Sequence, residues 1–326
     1  MKALRPLALV SVVLTYCLII LGGWVRSTNS GLSCPDWPTC YGEWVLTPGA
    51  FATLGEVGYT YGQVMLEWTH RLIAGVLLGP LILVLAVIAF FRRQVDRSGW
   101  RLALLILFVL LIQAKLGGIT VLDANSPWSV ALHLGNALLL LSLLVLFTLR
   151  LLPAACFAAP EPPFWRPFLI ALWLLLLATM VTAAMTAKSG ASLACYEWPA
   201  CTDGWLPDLG DPLVRIHFLH RTLAALSGLG ILAFLVLAFR GDNPILRGIA
   251  AIATLLVLVQ IGLGAMVIVH LVPTGLAVAH QAVGVLLFTG IAASLATVLL
   301  TPTDAPSRES PHVGLRDPRA PLQAPR

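Results

Sequence analysis

Apolar residues in this chain fall into runs too long for the helices of a water-soluble fold, and the polar residues collect between them. Eight runs, near residues 7–26, 64–91, 102–121, 129–151, 167–187, 214–239, 248–269 and 276–300, reach the roughly 20 residues that cross a ~30 Å hydrocarbon core. None alternates apolar with polar positions as a barrel strand does. A helix satisfies its own backbone without water, so the pattern predicts an all-α membrane protein of eight transmembrane helices. The first run continues through Gly22-Gly23-Trp24 without a small-residue cleavage site, which predicts a retained helix and not a removed signal peptide.

Composition agrees: 59% of the 326 residues are hydrophobic, 11% are charged and the mean hydropathy is +0.91, against roughly 25% charged in a soluble domain. Fourteen of the 20 lysines and arginines fall on one side of the predicted helices: Lys2 and Arg5, Arg92 to Arg101, Arg150 and Arg166, Arg240 and Arg247, and four in the tail. That side is expected to be cytoplasmic, with both termini there. The net charge of +5 is thereby explained as a topology signal, and no nucleic-acid partner is expected. The other six cations, Arg26, Arg71, Lys115, Lys188, Arg215 and Arg221, lie towards the opposite side, several of them beside histidines.

The chain repeats itself. Cys34 to Cys40 and Cys195 to Cys201 share a spacing and a central Trp-Pro; His70-Arg71 is matched by His220-Arg221; Gln113 and Gln260 each precede a histidine, His133 and His280, by twenty residues. The expected organisation is an N-terminal four-helix half (1–152), a proline-rich linker (153–167), a C-terminal half (168–300) and a disordered cytoplasmic tail (301–326) holding His312. Four helices per repeat is an even number, so both halves enter the membrane in the same sense, as parallel repeats.

Candidate chemistry centres on four histidines, each near the start of an apolar helix. A lone buried histidine is more often a hydrogen-bonded core residue than a ligand, but four at matching positions point to axial ligands of haem iron, His70 with His133 and His220 with His280. Glu67 shares a helix face with His70, and its counterpart in the second half is His217. A carboxylate beside only one pair suggests chemistry in the first half and electron storage in the second. Arg71 and Arg221 are candidates for haem propionates. Lys115 either snorkels to the interface or joins them. His217 and His270 are expected at the membrane interface. Each cysteine pair, in an oxidising compartment, can close a short disulfide, structural or redox-active, with a zinc site the weaker option. Cys17 and Cys156 read as packing residues.

With these residues in place the chain resembles the heme A synthase family. The likeness rests on Ser-Gly-Leu-Ser-Cys34, Cys40, Glu67-x-x-His70-Arg71, Gln113 with Leu116-Gly117-Gly118, His133, Cys195, Cys201, His220-Arg221 and His280, and extends from Leu7 to about Leu300. The resemblance implies an inner-membrane oxidoreductase that converts the C8 methyl group of haem O to a formyl group through an alcohol. It implies His220 and His280 on a permanent haem b, His70 and His133 on the substrate haem, Glu67 as the acid needed for turnover, and Cys34/Cys40 as a redox or haem-handling disulfide. Expected partners are haem O, membrane lipid, a haem O synthase and a second copy of the chain. Two other classes fit parts of the sequence: a di-haem b electron carrier, in which Glu67 is structural, and a transporter using histidines as proton relays.

Overall fold

The computed structural model describes residues 4–157, 162–202 and 204–301. The tail expected to be disordered, with His312, and linker residues 158–161 lie outside the described residues.

Eight long helices carry the chain: α1 (Leu4–Ser27), α2 (Tyr61–Phe91), α3 (Arg97–Leu122), α4 (Pro127–Arg150), α5 (Trp165–Lys188), α6 (Pro212–Arg240), α7 (Pro244–Val269) and α8 (Thr274–Leu300). All are long and apolar enough to span a membrane, so the protein is a multi-pass membrane protein. Most begin a few residues before the apolar runs do, because polar caps start them. The Thr60 hydroxyl accepts from the Gln63 amide while the Gln63 side chain reaches back to the Thr60 amide, a capping box opening α2. Ser126-Pro127, Asp211-Pro212 and Asn243-Pro244 open α4, α6 and α7 with an oxygen acceptor followed by a proline whose missing N–H costs nothing in the first turn.

Within α2 the backbone widens to a π-helix over Ile73–Leu78. Pro80 has no N–H to continue the α-helical ladder, and the Gly79 amide bonds the Ala74 carbonyl five residues back. The irregular turn lies directly below His70.

Packing places α4 and α8 centrally: α4 touches α1, α3, α5 and α8, while α8 touches α1, α4, α5 and α7. One apolar core surrounds Trp165, Phe234 and Phe288 of the C-terminal helices and also takes Ile19 of α1 and Leu138 and Leu141 of α4. A second joins α1 to α4 around Ile82, Ile106 and Leu144. Towards the periphery, Leu105 and Phe108 of α3 and Ile252 and Leu255 of α7 are exposed, the expected lipid face. Cys17 and Cys156, expected to pack, are both exposed as well.

The loops that follow the C-terminal ends of α1 and α5 are closed by disulfides, Cys34–Cys40 and Cys195–Cys201. In the first loop both cysteines are fully buried beside Leu46 and Val64.

Candidate functional site

The four helix histidines face one cavity of about 1630 Å³. Ordinary small-molecule pockets occupy roughly 300–1,000 Å³, so this chamber has room for more than one large flat ligand. His70 and His133 lie within electrostatic reach of each other, as do His220 and His280, the two pairs expected from the sequence.

Glycines seat three of the rings. A Cβ on Gly22 would stand 3.3 Å from Cε1 of His70, one on Gly117 3.2 Å from Cε1 of His133, and one on Gly264 3.1 Å from Cε1 of His280. Each imidazole thus rests on bare backbone of a neighbouring helix. Gly118, beside Gly117, performs the same service for the indole of Trp37 from the disulfide loop. The fourth ring, His220, is fixed differently: its Nδ1 lies 3.1 Å from the Thr179 carbonyl, which selects the tautomer with Nδ1 protonated and leaves Nε2 as a lone-pair donor. Nδ1 of His70 and of His280 is buried without a hydrogen-bond partner among the described residues. Gln113 Nε2 approaches both ring nitrogens of His133, at 3.2 and 3.3 Å, while its Oε1 accepts from Asn136; Gln260 Nε2 likewise lies 3.3 Å from Nε2 of His280.

These residues fit a porphyrin iron. Among the described residues no group of three or more His, Cys, Asp or Glu side chains converges as a metal cage. Two imidazoles per site leave the remaining donors to be supplied by a ligand, as the four nitrogens of a macrocycle do, and buried ring nitrogens without protein partners are what such a ligand would satisfy.

The loops lock onto the same helices. Glu67 is 4% exposed. Its Oε2 accepts from the Cys34 amide at 2.9 Å and the Ser33 hydroxyl at 3.0 Å, and its Oε1 pairs with Arg71 at 2.6 Å. Arg71 in turn donates Nη1 to the carbonyls of Asp36 (2.5 Å) and Thr39 (2.6 Å), and Nη2 to that of Cys34 (3.2 Å). The second half uses the same scheme with an imidazole for the carboxylate. His217, expected at an interface, is instead 4% exposed; its Nδ1 receives the Cys195 amide and its Nε2 faces Arg221 Nε, both at 3.2 Å. Arg221 donates to the carbonyls of Glu197, Ala200 and Cys195.

Of the cations expected at the ligand, Arg71 and Arg221 line the cavity but spend most of their donors on the loops. Lys115 lies exposed on α3, away from the lining. Arg26 and Lys188, to which the sequence assigned no role, line the cavity. Their matching places, eight and seven residues before the first cysteine of each pair, were the available signal. His270 is exposed at the end of α7.

Fold and site together define a class: a polytopic helical membrane protein that presents paired histidines to one chamber beneath two disulfide loops. Compared with known proteins, the chain belongs to the COX15-CtaA family, described as cytochrome oxidase assembly protein, whose pattern it matches over residues 5–292. Among curated relatives, it is similar to proteins named Heme A synthase from Shouchella clausii (28% identity, covering 88% of this chain and 94% of the relative), Shewanella oneidensis (27%, covering 83% and 89%) and Rhodospirillum centenum (30%, covering 89% and 86%).

Proposed function

We propose that this protein is a heme A synthase: an oxidoreductase of the bacterial inner membrane that converts the C8 methyl group of haem O to a formyl group through an alcohol. The observation that carries the reading is the asymmetry of the chamber, in which two histidine pairs face one space and only the first has a buried carboxylate beside it. Family membership and the relatives' names support the same conclusion.

In this reading His70 and His133 hold the substrate haem, and His220 and His280 hold a resident haem b that supplies a redox centre. Glu67 would take or deliver a proton at the first site, oriented by Arg71 and the Cys34 amide. The chamber is expected towards the extracytoplasmic side, opposite the basic loops. A haem O synthase and a second copy of the chain remain the proposed partners.

The test is chromatography and mass spectrometry of haems extracted from the purified protein after expression with a haem O supply. A synthase yields haem O, its alcohol or haem A alongside haem b. Haem b alone would instead identify a di-haem electron carrier, in which the Glu67–Arg71 pair is purely structural.

A further inference from the structure

Among the described residues lining the chamber, the only acid is Glu67, against four cations: Arg26, Arg71, Lys188 and Arg221. The four are not equivalent. A guanidinium has five N–H groups, and Arg71 and Arg221 each direct four of them to protein acceptors in the disulfide loops or on their own helices. Arg26 and Lys188 make no side-chain hydrogen bond or ion pair with any described residue.

A cation at the outer end of a helix ordinarily faces the lipid headgroups or bonds the carbonyls of the last turn. Here both side chains line the cavity instead, only partly exposed. Arg26 follows Gly22 by four residues, so it shares the helix face on which the His70 ring rests, one turn further out. Lys188 ends α5, the helix whose Thr179 carbonyl holds His220. The two cations lie within electrostatic reach of each other. Unpaired positive charges in a cavity lined mostly by apolar residues are costly unless an anion arrives with the ligand.

We infer that Arg26 and Lys188 are the anion-binding residues of the chamber, Arg26 receiving a carboxylate of the macrocycle held by His70 and His133, and Lys188 a carboxylate of the one held by His220 and His280. This rests on the porphyrin reading above and changes its detail. Arg71 and Arg221 become positioning residues that hold the loops, and the ligand's acidic edge would face the helix ends that carry Arg26 and Lys188.

The test compares haem O with its dimethyl ester, which keeps the ring and iron but carries no carboxylate charge. Purified wild-type protein is titrated with each, following the visible spectrum of the imidazole-ligated iron. Wild type is expected to bind the free acid about 10-fold to 100-fold more tightly than the ester, the range of a charge-assisted hydrogen bond. Arg26→Gln removes that preference by weakening the acid alone, and Arg26→Lys restores part of it. For Lys188, the resonance Raman propionate bending modes of the resident haem shift in Lys188→Gln and return in Lys188→Arg. Equal affinity of wild type for acid and ester, or equal loss of both in Arg26→Gln, overturns the inference while leaving the porphyrin reading intact. Failure of wild type to give an imidazole-ligated spectrum with either compound overturns both.

Discussion

Glu67 and His217 occupy corresponding places and do the same mechanical work, each receiving the amide of the first cysteine in its loop and facing the arginine one turn on. They differ in what they offer. The carboxylate has two oxygens for three donors, whereas a neutral imidazole has one lone pair for two. Only Glu67 brings a carboxylate to the chamber wall. Glu67→Gln is therefore expected to keep the loop in place and the haems bound, yet cut haem A formation by about 100-fold or more, the lower range for a lost acid–base group. Chromatography of extracted haems would reveal accumulated haem O, and undiminished haem A would remove Glu67 from the chemistry. The glycine seats permit a second test. Gly264→Ala puts a methyl 3.1 Å from the His280 ring, which must give by a few tenths of an ångström, so the two-imidazole spectrum of the second site is expected to shift while the first site keeps its own. A spectrum unchanged at both sites would mean that the ring does not depend on the bare backbone beneath it. At this scale the sequence was legible where residue types repeat: the four histidines, Glu67 and both cysteine pairs were visible as spacings. Which nitrogen each ring keeps free, and whether Lys115 or Lys188 enters the chamber, depend on helix rotation, which spacing alone does not determine.

The first disulfide loop works as a single element clamped at three levels. Arg71 holds its carbonyls, Gly118 supports the Trp37 indole, and Asp36 ties it internally by accepting from Thr39, Tyr41 and Gly42. Burial favours the neutral form of Asp36, but those hydrogen bonds outweigh it and hold the carboxyl below its ordinary value of 3.8. A depressed acid stabilises the folded loop above its unfolded pKa, and the contribution is lost as pH falls through the folded value. Trp37 fluorescence is therefore expected to report a local transition below pH 3.8, and Asp36→Asn to abolish it. A transition centred above that value would contradict the assignment. The disulfide fixes the Cys34 amide that holds Glu67, so replacing Cys34 and Cys40 together by serine should lower activity through Glu67 without emptying either haem site. Loss of haem in that variant would show instead that the loop supports the chamber as a whole. Helix starts were harder to read than helix existence, because caps such as Thr60 and Asp211 are polar and lie outside the apolar runs. The π-helical turn could not be read from the apolar period, although Gly79-Pro80 marked where the ladder would break.

Across the whole molecule, the eight spans were legible because hydropathy is a property of the chain itself. The joining of the halves was not, because it depends on which faces of α4 and α8 meet. Those faces form a shared core: Leu138 and Leu141 of the N-terminal part pack with Trp165, Phe234 and Phe288 of the C-terminal part. Expressed without residues 1–152, the C-terminal helices would expose that surface, and they are expected to aggregate or lose their haem, with recovery when both parts are co-expressed. A separately stable, haem-loaded C-terminal part, seen by size-exclusion chromatography, would argue that each half carries a sufficient core of its own.

A common chamber also bears on traffic between the two sites. With both histidine pairs opening onto one space, ligands held by the two pairs would share it. How each of three imidazoles sits at that space depends on the bare backbone beneath it. A methyl group added under one ring would be felt first by the ligand that ring holds, and only through it by the neighbour across the chamber.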